Sequence, residues 1–218
     1  MNSVNIDSLS KTINGKQILS GINLKIYTKD IIGLLGNNGS GKSILFSILF
    51  GTKKSDNIFF KFNNKVIKNH LNFYKIFSLS PQFICLPKSI KVKTLINSTI
   101  YCPKDQNEIM SDPLIKSTLH QKVNDLSFGS KKYLQTYLIL TNNSPFCLLD
   151  EPYLGLSPIL SNQLNQLLLK KSNSKGILIS EHRFEYFQNI VNKTYLLKNS
   201  NIFHVKNKSD LIHLGYLK

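Results

Sequence analysis

The amino-acid sequence predicts an α/β fold: a mainly parallel sheet with helices on both faces, an N-terminal antiparallel β subdomain and a short inserted helical subdomain. Three observations point to it. Short apolar runs, Ile31 to Leu35, Phe146 to Leu149 and Ile177 to Ser180, read as strands buried on both faces. Helical segments separate them, the pattern of a parallel sheet. Ahead of the first run, residues alternate apolar and polar around Asn14-Gly15, a strong hairpin-turn signal.

In chain order, Ser3 to Leu9 and Ile22 to Tyr27 are expected strands on either side of that turn. Ile31 to Leu35 is bounded by Asp30 and Gly36, and Lys42 to Phe50 reads as a short apolar helix stopped by Gly51. Ile58 to Phe62 and Ile76 to Leu79 are further strands. From Pro81 to Asn124 four prolines punctuate the chain and the β rhythm is lost. Val92 to Ile100 and Leu114 to Val123 are expected there as short helices. Gly129 to Thr141 reads as a longer helix and Pro158 to Lys171 as an amphipathic one, with Pro158 in its first turn. Thr194 to Leu197 and Ile202 to Val205 form a hairpin around Asn199-Ser200-Asn201, and Ser209 to Leu214 a last helix. The whole chain, 1–218, is expected to be one domain, with the helical lobe inserted at about 83–140.

With 218 residues and 41% hydrophobic content, the chain can bury a sizeable core. The formal charge of +16 comes from scattered lysines. Lys53-Lys54, Lys131-Lys132 and Lys170-Lys171 are pairs, and no block of like charge marks an interaction tail. They read as solvated faces, with attraction to an anionic membrane surface as a secondary effect. Cys85, Cys102 and Cys147 have no metal-ligand spacing and fit a reducing cytosol. No apolar run is long enough to cross a bilayer.

Gly36-Asn37-Asn38-Gly39-Ser40-Gly41-Lys42-Ser43 fits G-x-x-x-x-G-K-S, the phosphate loop of P-loop NTPases. The glycines let backbone N–H groups turn inward around phosphate oxygens. The following helix points its positive end at the same anion. Lys42 reaches the β- and γ-phosphates of ATP, and the Ser43 hydroxyl takes a Mg²⁺ position. A strand before the loop and a helix after it supply the required context. Phe146 to Pro152 is the second part: an apolar strand ending in Asp150, placed to hold Mg²⁺, and Glu151, placed to polarise the attacking water as a general base.

Further segments, in this order, resemble the ATP-binding cassette (ABC) ATPases over roughly residues 4–205. Ser80-Pro81-Gln82 is similar to the family's Q-loop, Leu126-Ser127-Phe128-Gly129-Ser130 to its signature LSGGQ, and Ile177 to His182 to its H-loop. The resemblance implies that Gln82 senses Mg²⁺ and the γ-phosphate and links the site to the helical lobe. It implies that Ser127 and Gly129 touch ATP held by an opposite cassette. It also implies that His182 hydrogen-bonds the γ-phosphate and helps to position Glu151 and water.

Four positions depart from the family pattern. Ile13 stands where an aromatic residue usually stacks on adenine, so base contact should be weaker. Phe128 and Ser130 replace a Gly and a Gln of the signature. The segment Tyr153 to Pro158 resembles the branched-chain amino-acid and lipopolysaccharide-export type, with Ser157 in place of an Asp, which should weaken communication across a dimer. The stretch from Gln82 to Ser127 is short, so the membrane-docking surface should be reduced or unusual.

The resemblance implies an ATP-hydrolysing transporter subunit, paired with a second cassette of the same or a related chain. It would bind integral membrane transport subunits and lie peripherally on the inner, cytoplasmic face of the cell membrane. A non-transport ABC ATPase acting on nucleic acid, ribosome or a cell-envelope regulator is the alternative. The single phosphate loop and the lack of a heptad run disfavour it, and nucleic acid is not an expected partner. A non-hydrolysing ATP switch is disfavoured by the presence of both Glu151 and His182.

Overall fold

The computed structural model describes residues 1–217. Two long strands, β1 (Ser3–Ile13) and β2 (Lys16–Tyr27), form the N-terminal hairpin. Asn14 (φ 50°) and Gly15 (φ 75°) both lie in the left-handed region, which the tight hairpin turn demands and which Asn-Gly tolerates. Both strands run further than their alternation suggests. The register shifts between Ile6 and Thr12 interrupt the period of two without ending the pairing. With β4 (Asn57–Phe62) and β5 (Lys65–Val66) they make a four-stranded antiparallel sheet in the order β2-β1-β4-β5.

The second sheet has six strands: β3 (Ile31–Leu35), β6 (Phe77–Ser80), β7 (Phe146–Asp150), β8 (Gly176–Glu181), β9 (Lys193–Lys198) and β10 (Asn201–Val205). Their order is β10-β9-β3-β8-β7-β6, and every pairing is parallel except β9 with β10. All residues of β3, β7 and β8 are buried, the reason each reads as an unbroken apolar run. Alternate residues feed two cores. Ile31, Cys147, Leu149 and Ile177 join one beneath the longer helices. Ile32, Leu34, Leu148 and Leu178 join the other with the antiparallel sheet. The register sets Leu35 opposite Glu181 and Asp150 opposite Ser180, so the carboxyl ends of β3, β8 and β7 stand side by side. Loops that leave such an edge are where α/β sheets carry their ligands.

The helices are α1 (Lys42–Phe50), α2 (Val92–Thr99), α3 (Pro103–Ser111), α4 (Pro113–Lys116), α5 (Phe128–Thr141), α6 (Pro158–Ser172) and α7 (Lys208–His213). The expected helix Leu114 to Val123 is corrected: α4 stops at Lys116. Beyond it, Leu119 O and Gln121 O accept from Lys93 and Val92, and Val123 N donates to Ile90 O. The backbone groups of this stretch are spent on the segment before α2 and are not available to a helix. Helix α3 was not expected. Pro103 and Pro113 each sit at the first helical turn, where proline starts helices, and the Asp112 side chain caps α4 through Leu114 N and Ile115 N.

The start of β8, paired with β7 at Phe146, packs tightly against the end of β2. A Cβ on Gly176 would stand 2.6 Å from Tyr27 O and 2.5 Å from the Phe146 ring. The backbone oxygen cannot rotate away as a side chain can. Gly176→Ala should therefore lower stability by about 1–3 kcal/mol, read as a lower urea midpoint at unchanged slope. An unchanged midpoint would show that the packing of Gly176 against Tyr27 is looser than these distances.

Candidate active site

The loop between β3 and α1 closes around Lys42. Its side chain is 5% exposed, and its Nζ donates to Gly36 O at 2.7 Å and Asn37 O at 3.3 Å. Burial lowers its pKa, while Glu151, Asp150 and Glu181 act in the opposite sense. Gly41 (φ 107°) is the residue before the helix, a conformation that a side chain rarely adopts. The first turn of α1 carries no acidic residue and no side-chain cap, so its N–H groups remain open to an anion. Ser40 Oγ is buried in the loop with no hydrogen-bond partner. An orphaned hydroxyl beside a buried ammonium and open N–H groups fits a bound phosphate.

A cavity of about 300 Å³ opens here, lined by Asn38 to Ile44 and, across from them, by Gln82 and Glu151. Gln82, just after β6, donates through Nε2 to Glu151 Oε2 at 2.8 Å. Glu151 is buried, and its φ of 46° places a non-glycine residue in the left-handed region, at a cost of about 1–3 kcal/mol. Its N–H donates to Ser180 O and Oγ at 3.1 and 3.2 Å. Ser180 Oγ in turn donates to Asp150 Oδ1 at 2.5 Å. Oxygen donors of the Ser43, Asp150 and Gln82 types suit a hard cation such as Mg²⁺; Ser43 and Gln82 line the cavity, whereas Asp150 is buried behind it, bonded to Ser180.

The charges behind this front are as informative. Lys132 was expected on a solvated face, but it is fully buried. Its Nζ donates to Pro81 O at 2.8 Å, Gln82 O at 3.0 Å and Asp150 O at 3.2 Å. Burial lowers its pKa to about 8. Glu181, 1% exposed at the end of β8, accepts from Tyr153 N at 3.2 Å. Desolvation raises its pKa to about 8, with the nearby Glu151 adding to the shift. His182 follows it. Its Nδ1 is buried without a partner, and its carbonyl accepts from Tyr216 Oη at 2.7 Å.

Ser127 and Gly129 line neither this cavity nor the one beside it. Ser127 caps α5, accepting from Ser130 N at 3.1 Å. Gly129 is buried, and a Cβ there would stand 2.8 Å from Gly155 O. The signature turn thus packs directly on the segment after Pro152. Ile13, at the end of β1, is half-buried and also lines neither cavity. Ile18 does: it borders a second cavity of about 290 Å³ with Asn37 to Ser40, Leu197 to Ser200 and Tyr216.

Sequence reasoning did not single out Ile18, Lys132, Ser180, Glu181 or Tyr216. Three carried a signal. Ser180-Glu181 puts polar residues at the end of a strand otherwise apolar, and Lys132 falls one turn after Gly129 on the same face of α5. Tyr216 carried none, since its contact with His182 spans 34 residues.

Comparison with known proteins gives consistent results. The family model described as ABC transporter matches residues 19–154. The chain is 28% identical over 215 residues to the ABC transporter ATP-binding protein YtrB of Bacillus subtilis, covering 95% of this chain and 73% of that protein. It is 23% identical over 210 residues to the lipopolysaccharide export system ATP-binding protein LptB of Haemophilus influenzae, covering 90% and 87%. Among solved structures, an ATP-binding subunit of an ABC transporter superposes with a TM-score of 0.82 at 17% identity, covering 98% of this chain and 93% of that one.

The buried ammonium of Lys132 makes a prediction about pH. Its folded-state pKa of about 8 lies below its ordinary value of 10.5. Between those values the unfolded chain binds a proton that the folded chain has released. Stability from this group is therefore lowest below about pH 8 and rises as the pH climbs toward 10.5, by up to about 3 kcal/mol. Urea unfolding of wild type and Lys132→Met across this range should show a steeper rise in the wild type, since Lys42 and Lys175, also lowered by burial, remain in the variant. Parallel pH profiles would mean that the ammonium is not desolvated.

Proposed function

The chain belongs to the ABC transporter family as an ATP-binding, ATP-hydrolysing cassette, and from that premise we propose that Gly36 to Ser43 hold the triphosphate of ATP while Glu151 activates the attacking water. The observation that carries the reading is the cavity in which buried Lys42 and unpartnered Ser40 Oγ face Gln82 and Glu151, already hydrogen-bonded to each other. Lys42 exchanges its two loop carbonyls for phosphate oxygens, which suit its charge better. Glu151, freed from Gln82, takes a proton from water aligned with the terminal phosphoryl group. His182 donates to the same phosphoryl oxygen. Ser43, Gln82 and Asp150 would hold Mg²⁺, which neutralises charge on the β- and γ-phosphates when bound.

Ser127 and Gly129 lie apart from their own chain's cavity, which supports a composite site. In it they reach ATP bound by a second cassette, either another copy or a related chain. The substitution of Ile13 leaves the base loosely held, and Ile18, beside the phosphate loop, is the apolar surface nearer to it. The helical lobe, at about 83–140, borders an apolar groove of about 310 Å³ lined by Leu79, Leu86, Leu95, Ile100 and Leu138, next to exposed Phe83. This groove, adjoining Gln82, is the surface we assign to an integral membrane transport subunit. Among the described residues no helix is long and apolar enough to cross a membrane. We place the cassette peripherally, on the inner face of the cell membrane, working through those subunits, a reading supported by its similarity to transporter ATP-binding proteins.

Glu151→Gln keeps the shape and the bond to Gln82 but removes the base. Steady-state turnover should fall by about two orders of magnitude or more, with nucleotide binding retained. In sedimentation, ATP should shift this variant from monomer to dimer, and ADP should not. Wild-type turnover in Glu151→Gln, or hydrolysis at full rate by a monomer at every protein concentration, would overturn the reading.

A further inference from the structure

His182 poses a question of proton placement that its own side chain cannot answer. A neutral imidazole carries one proton, and the neighbour of one nitrogen decides where it sits. To donate to a phosphoryl oxygen through Nε2, the ring must keep a proton there. That is secured when Nδ1 accepts a hydrogen bond. Nδ1 is buried and, among the described residues, has no partner within hydrogen-bond range. The group facing it is the Glu181 carboxyl, whose Oε2 is 3.7 Å away.

Glu181 is unusual for a carboxyl beside an ATP site, because it points at no solvent. It is 1% exposed, and its other oxygen is fixed by Tyr153 N–H at 3.2 Å. The His182 backbone is also held, by Tyr216 Oη on its carbonyl. At 3.7 Å the pair stands just beyond hydrogen-bond range, and such contacts commonly tighten only when ligand binds. Burial, the largest influence, favours the uncharged acid, and Glu151 nearby adds a like charge; the Tyr153 and His182 N–H groups and Lys42 act the other way. An uncharged carboxyl has an O–H to give.

Resting on the reading of His182 as a phosphate contact, we propose that Glu181 is its positioning residue: the neutral Glu181 carboxyl donates its O–H to His182 Nδ1 and keeps the imidazole proton on Nε2, facing the terminal phosphoryl group. The proton is shared within the pair and no bond to substrate is made. Tyr153 N–H links the pair to the segment that packs on Gly129, so the same carboxyl ties the H-loop to the turn after Pro152.

The test is ¹⁵N NMR of the full chain with ring-labelled histidine, which has five such residues. His182→Gln identifies the His182 signals. The wild type should show Nε2 protonated and Nδ1 an acceptor. Glu181→Gln, whose amide can also donate, should keep this tautomer and a kcat within about threefold of wild type. Glu181→Leu, which cannot donate, should lose the tautomer and about tenfold or more in kcat, with KM for ATP nearly unchanged. A wild-type ring protonated on Nδ1 alone would overturn the proposal, and it needs no variant that must fold. So would a Glu181→Leu protein with wild-type tautomer and kcat. Undiminished kcat in His182→Gln would instead overturn the phosphate role of His182 and with it the catalytic purpose of the pair, while the ring spectrum would still report whether Glu181 sets the tautomer.

Discussion

A lysine ammonium buried in a loop has to be compensated from all sides, and the carboxyl edge of the parallel sheet is arranged around that requirement. Lys42 has lost most of its water and gained two carbonyl oxygens of its own loop. Asp150 and Glu151, at the end of β7, offset part of the desolvation. The compensation is incomplete by design of the loop: the partners are neutral carbonyls, not a paired carboxylate in contact. An incoming polyanion can therefore replace them at little cost, and the open first turn of α1 adds its dipole to the same place.

Lys132 gives the site a second cation from the opposite side. It holds no carboxylate either. It gathers three carbonyls from the turn after β6 and from the end of β7, the two segments that deliver Gln82, Asp150 and Glu151. Lys132 lies on α5, one turn after Gly129, so its three bonds tie that helix to the backbone at Gln82 and next to Glu151. Gln135, on the same helix, adds bonds to Pro81 O and Phe83 O. The surface next to the apolar groove and the surface next to the nucleotide are thus joined by hydrogen bonds that run through one buried helix face.

Much of this was legible in the sequence because local physics dominates there. The strand, loop and helix around Gly36 to Ser43 follow from an apolar run, glycines and a helix start, all contiguous. Asn14-Gly15 fixed its own turn. The strands β7 and β8 were readable because burial on both faces leaves no polar alternation to confuse. Helix α3 was missed because Pro103 and Pro113 read as interruptions, when each opens a helix. Lys132 was misread because its doublet with Lys131 looks like a solvated face, and only packing separates the two. The bonds Ser180–Asp150, Glu181–Tyr153 and Tyr216–His182 join residues 30, 28 and 34 positions apart. No local pattern encodes them; strand register and the return of the C-terminal tail create them.

The central claim is that phosphate groups, gathered at Lys42 and the first turn of α1, carry nucleotide affinity. Equilibrium binding of ATP, ADP, AMP and inorganic tripolyphosphate to wild type and Lys42→Ala, measured by titration calorimetry with Mg²⁺, tests it most directly. The account predicts that ATP and tripolyphosphate bind wild type within about tenfold of each other, a difference of about 1.4 kcal/mol, that AMP binds far more weakly, and that Lys42→Ala loses the polyphosphates. AMP binding as tightly as ATP, with Lys42→Ala unimpaired, would contradict it.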